Sequence, residues 1–144
     1  MIKTFRAKMA EDEQVKIPIS GGDPAIGFRI HSLKGIPVDC TGGSNEAVIK
    51  VYRIEQTSID EQVDFNDDQL LGVFFFLRDQ GVVAITSESV IFDRETINQD
   101  IYVTYADSQT STGFNFMLEL EQVKMSKGEQ AVVNFSAALL HGEP

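Results

Sequence analysis

Apolar and polar residues alternate along the chain from Phe114 to Glu121. Phe114, Phe116, Leu118 and Leu120 are interleaved with Asn115, Met117, Glu119 and Glu121. A period of two puts one apolar row on one side of a strand and a largely polar row on the other, so 114–123 is predicted as a half-buried strand. Ala47 to Ile54 is β-branched and aromatic and predicts a second strand. Leu70 to Leu77 (LLGVFFFL) is apolar without alternation, as expected of a strand buried on both faces. Shorter strands are predicted at Ile26–Leu33, ended by Lys34-Gly35-Ile36-Pro37, and at Val82–Thr86, Ser89–Phe92 and Ile101–Tyr105. Val15–Ile19 contains Pro18 and is expected at a sheet edge. Ile2–Met9 reads either as a short edge strand or as an extended N-terminal arm spanning residues 1–12.

The period changes near the C-terminus. Ser126-Lys127-Gly128-Glu129 matches a capping box, in which the Ser hydroxyl and the Glu carboxylate each satisfy a backbone N–H. Val132, Val133, Phe135, Ala138, Leu139 and Leu140 follow at helical spacing, with Gly142 and Pro144 as stop signals, which predicts a helix over about 127–141. Many short strands without strand–helix alternation make a mainly β fold, an antiparallel β-sandwich of jelly-roll type with one C-terminal helix. At 144 residues the expectation is a single domain able to bury a core without staples.

Charge narrows the set of functions. Residues 1–54 carry eight Lys/Arg against six Asp/Glu, whereas residues 55–144 carry four against sixteen, within a net charge of −10. Phosphate neutralisation needs a basic surface, so nucleic acid is not an expected partner. No apolar run approaches the roughly 20 residues of a membrane span, and the first residues lack the apolar stretch of a secretory signal. Assembly in a cytoplasm is the expectation. Cys40 is the one cysteine, which excludes an internal disulfide and a thiolate metal cluster.

Candidate chemistry is sparse. Asp64-Phe65-Asn66-Asp67-Asp68 contains the D-x-N-x-D opening of a calcium loop. Gln69 and Phe75 stand where an EF-hand needs Gly and Glu, and a looser surface site around Asp60, Asp64, Asn66 and Asp68 is left open. Glu119 and Glu121 share a strand face, but the alternation turns that face away from the core, where paired carboxylates for glycoside hydrolysis are not expected. His31 and His141 lack metal-ligand spacing, and His141 suits the C-terminal end of a helix dipole. Gly42-Gly43-Ser44 is no nucleophile elbow. Tyr52, Tyr102 and Tyr105 offer a stacking platform for a sugar or, more simply, half-buried strand tyrosines. No catalytic residue, cofactor or metal is expected, and the chain reads as a non-enzyme.

The run DIYVTYAD from Asp100, then FNFMLELEQVKMS from Phe114, then a capped helix, resembles small virion structural proteins of tailed bacteriophages. The likeness covers Asp100 to Phe135 and includes no diagnostic motif. It implies a capsid decoration or cement protein that sits on the head as a homotrimer, bridges major capsid protein subunits and resists internal DNA pressure. Another tail, neck or baseplate subunit is the alternative it allows, and a carbohydrate- or calcium-binding β-sandwich module stands outside it. Under this resemblance the residues that reach other chains are expected in the N-terminal segment (Lys3, Phe5, Arg6, Lys8) and the acidic loop (Asp60, Glu61, Asp64, Asp67, Asp68).

Overall fold

The structure is a computed structural model that describes residues 1–19, 23–41, 43–80, 84–92, 95–110 and 112–133. The expected strand start at Val82 and the expected helical residues 134–141, with His141 and the Gly142 stop, lie outside the described residues. The eight strands are β1 (Ile2–Met9), β2 (Gln14–Ile17), β3 (Ile26–Pro37), β4 (Asn45–Tyr52), β5 (Leu70–Asp79), β6 (Ala84–Ile91), β7 (Ile101–Asp107) and β8 (Phe114–Lys124). They form two antiparallel sheets, β1-β8-β3 and β2-β7-β4-β5-β6. A helix, α1 (127–133), follows β8, and Ser126 Oγ accepts the Glu129 N–H at 3.2 Å, one half of the predicted capping box. Mainly β, two facing sheets and a short C-terminal helix make this the expected β-sandwich.

The inner faces build one core. From β8, Phe114, Phe116, Leu118 and Leu120 face Ile49 and Val51 of β4 and Val103 and Tyr105 of β7 within a single cluster, all of them buried. Phe114 stacks on Tyr105 (5.6 Å between centroids) and meets the Phe76 ring edge-on at 5.6 Å. Its ring also lies across Gly35, where an added Cβ would fall 2.4 Å from Phe114 Cε1 and 2.9 Å from the Asn115 carbonyl. Only glycine admits that approach.

Several boundaries differ from the sequence reading. Of the two readings of residues 2–9 the edge strand is formed and the arm is not: β1 pairs with β8 along its whole length, from Ile2↔Glu121 to Met9↔Phe114. β3 runs through Gly35 to Pro37, because Gly35 is required by the Phe114 ring and is no terminator. A bulge between Ile30 and Ser32 lets the apolar pattern change phase at His31 while Ile30 and Leu33 both stay buried. The two short strands expected across 82–92 are one strand, β6. β2 sits at a sheet edge, as Pro18 predicts.

In β5, burial on both faces holds from Leu70 to Phe74 and fades to an exposed Leu77. A register shift opposite Val51/Tyr52 puts Leu71 with the inner cluster and Leu70 and Val73 with the outer one.

Asp107 ties the end of β7 to its surroundings. Its buried carboxylate accepts hydrogen bonds from Asn45 Nδ2 (2.9 Å), the N–H groups of Glu46 (3.0 Å) and Gln109 (2.9 Å), and the Tyr105 hydroxyl (3.2 Å). Burial and the neighbouring Asp107 push the Tyr105 phenol well above its ordinary value, so it stays a donor.

Two substitutions test this core. Phe114→Ala is expected to cost about 3–5 kcal/mol in denaturant unfolding, since it empties the space between Tyr105, Phe76 and Gly35. Asp107→Ala is expected to cost about 3 kcal/mol or more, because Asn45 and two backbone N–H groups lose a charged acceptor.

Candidate interaction surfaces

The outer face of the three-stranded sheet is read from its register. Four rungs cross it: Ile2–Glu121–Arg29, Thr4–Glu119–Ser32, Arg6–Met117–Lys34 and Lys8–Asn115–Ile36. In the first two, carboxylates sit on the central strand, and Ser32 Oγ donates to Glu119 at 2.8 Å. The other two hold three cations and no carboxylate. Arg6, Lys8 and Lys34 are exposed, and none has an ion-pair partner among the described residues. Between them lies an open depression of about 610 Å³ whose lining includes Met117, Ile36 and Asn115. Ile36 is 55% exposed, large for an isoleucine on a strand. On a chain of net charge −10, this is a local reversal of sign.

The acidic segment lies against the other sheet. Residues 53–69 connect β4 to β5 and contain turns but no strand or helix. Lys50, on the outer face of β4, has a side chain only 5% exposed; its ammonium donates to Asp60 Oδ1 at 3.0 Å and the Gln62 carbonyl at 2.7 Å. That bond holds the Asp60 carboxyl below its ordinary value. Phe65 meets Phe92 edge-on at 4.8 Å, and Arg53 bonds through its N–H to the Gln69 carbonyl and through its guanidinium to Glu95.

The loop is thus fastened at both ends and along its middle. It leaves Glu61, Asp64 and Asp68 exposed, along with Val63 (40% exposed) and Phe65 (62% exposed).

The expected contact residues separate accordingly. Arg6 and Lys8 lie on the uncovered face. Phe5 does not: alternation along β1 turns it inward, where it packs on the core. Lys3 Nζ sits 5.3 Å from the centroid of the Phe28 ring. Asp60 is engaged by Lys50, Asp64 Oδ1 accepts the Asn66 N–H at 2.9 Å, and Asp67 Oδ1 accepts the Gln69 N–H at 3.0 Å. Glu61, Asp64 and Asp68 remain exposed, and Asp67 is half-buried. Lys34 and Ile36 were not among the expected contacts; a β3 ended at Leu33 leaves them off the sheet, and only the register with β8 aligns them with Arg6 and Lys8.

Other candidates do not assemble into a site. Tyr52 and Tyr102 pair across strands on the outer face of their sheet, while Tyr105 belongs to the inner cluster, so the three tyrosines share no platform. Among the described residues no group of three or more His, Cys, Asp or Glu is placed to hold a metal ion. Cys40 is exposed, with its thiol 3.3 Å from the Pro37 carbonyl. Among the described residues no helix is long and apolar enough to cross a membrane. The chain matches no protein-family model, and no curated protein or solved structure is significantly similar to it.

The Lys50–Asp60 anchor has a definite pH dependence. Because Asp60 titrates below its ordinary value of 3.8, the anchor contributes fully above that value and is lost as the pH falls through the lowered one. Asp60→Asn is expected to speed amide exchange at Gln62 and cost on the order of 1 kcal/mol, reduced from the value for a wholly buried pair because Asp60 is half-exposed. Exchange unchanged in the variant across pH 3–7 would show that the loop is held by other contacts.

Proposed function

We propose that this chain is a non-enzymatic structural protein of a tailed-phage virion, a decoration or cement subunit that sits on the head as a trimer and bridges major capsid protein subunits. The observation that carries the reading is the outer face of β1-β8-β3, exposed among the described residues, with a shallow depression that is cationic at its rim and partly apolar. A rigid sandwich with a large exposed sheet face is suited to adhesion. The resemblance of Asp100–Phe135 to phage virion proteins supplies the setting. A clamp of this kind needs separate surfaces for separate neighbours, and the cationic face and the acidic loop lie on the outer sides of different sheets.

The test is co-sedimentation of the purified chain with assembled heads built from the major capsid protein that the proposal requires in the same genome. Binding that saturates at a fixed ratio to capsid subunits, and heads that survive higher temperature when coated, are the expected results. A chain that stays in the supernatant with intact heads would overturn the decoration role and leave a tail, neck or baseplate position to be tried by the same assay on whole particles.

A further inference from the structure

We infer that the cationic depression on β1-β8-β3 receives the acidic loop of a second copy of this chain, so that copies join head to tail. The two surfaces match in charge and in apolar character. The depression presents Arg6, Lys8 and Lys34 around Met117 and Ile36. The loop presents Glu61 and Asp64, both exposed, on either side in sequence of exposed Val63 and next to exposed Phe65. Rim charges of opposite sign set orientation and encounter rate, while the apolar centre supplies contact area.

Like-with-like contacts are disfavoured by the same residues. Two depressions face to face bring six cations together, two loops bring carboxylates together, and a net charge of −10 per copy opposes any contact without local compensation. Opposite signs meet when one copy's depression takes the other's loop, and the space to be filled lies at the cationic rungs, away from Glu119 and Glu121. Each copy then has one donor surface and one acceptor surface, on different sheets, and can use both at once. Such a heterologous contact closes into a ring where the rotation permits and extends into a filament where it does not.

The loop is suited to the role because it is already ordered. Lys50 holds Asp60 and the Gln62 carbonyl, and Phe65 rests on Phe92, so little conformational freedom is lost on contact. Glu61 is left exposed. The contact takes part of the same face that the head-binding reading relies on, and it is tested on the chain without capsids, so the two readings can fail separately.

The experiment is sedimentation velocity of the full chain in about 50 mM and about 500 mM sodium chloride, since rim charges are screened at the higher value. Expected are assemblies at low salt and an association constant about tenfold or more weaker at high salt. Arg6→Gln with Lys34→Gln removes the acceptor surface. Glu61→Gln with Asp64→Asn removes the donor surface, and the amide oxygen introduced by the second change can still accept the Asn66 N–H. Each double variant alone is expected to be monomeric. Mixed in equal amounts they retain one intact donor and one intact acceptor, and are expected to give dimers and nothing larger.

A chain that is monomeric at low salt overturns the inference, as does assembly that persists in either double variant. Carbodiimide cross-linking of the unsubstituted protein reads the same contact without relying on the variants to fold. Lys34 or Lys8 joined to Glu61 or Asp64 between copies supports it, and the absence of such links overturns it.

Discussion

β8 is hydrogen-bonded on both sides, to β1 and to β3, and its inner row is fully enclosed by the opposite sheet, so its register governs the small sheet. A slip of one residue would send Phe114, Phe116, Leu118 and Leu120 to the outside and bring Glu119 and Glu121 into the core. The burial of those four side chains therefore fixes which residues of β1 and β3 stand opposite each outward position of β8. The rungs that gather Arg6, Lys8 and Lys34 around Met117 are a by-product of that packing. The surface exists because the core admits one register.

The opposite sheet solves a different problem. β4 and β5 are buried on both faces over part of their length, and the second face has no helix against it among the described residues. The 53–69 segment covers it instead, with Lys50 reaching up from the sheet to carbonyl and carboxylate acceptors in the covering strap. A buried lysine needs such acceptors, and the acidic composition of the loop supplies them. Acidity here is partly structural and partly left over for the surface: Asp60, Asp64 and Asp67 accept hydrogen bonds that hold the loop together, Asp68 faces the charge of Arg53, and Glu61 is exposed.

Much of this could be read from the sequence where a local pattern sufficed. The alternation of β8, the unbroken apolar run of β5, the edge position of β2 and the Ser126 cap all follow from neighbours a few residues away. What was hidden depends on distant contacts. Gly35 looks like a stop signal until the ring of Phe114 is seen to cover it. Nothing local within Ala47–Ile54 marks Lys50 as buried beneath its own loop. Phe5 appears to belong with Arg6 and Lys8 until parity along β1 puts it, with Lys3, on the opposite row. Asp107 gives no sign of collecting donors from Asn45 and Glu46, about sixty residues earlier.

His31 occupies the bulge in β3, where two residues oppose one on β8. Ile30 pairs with Leu120 and Ser32 with Glu119, so the ladder on either side is the one a regular strand would have without His31. That residue is a length defect absorbed by the sheet. It marks a place where the chain can gain or shed one position while every buried pair keeps its mate, in contrast to the rest of β3, where an indel would turn Lys34 toward the core. The histidine side chain is exposed. In this strand the seam that tolerates a change of length lies beside the patch that tolerates no change of phase.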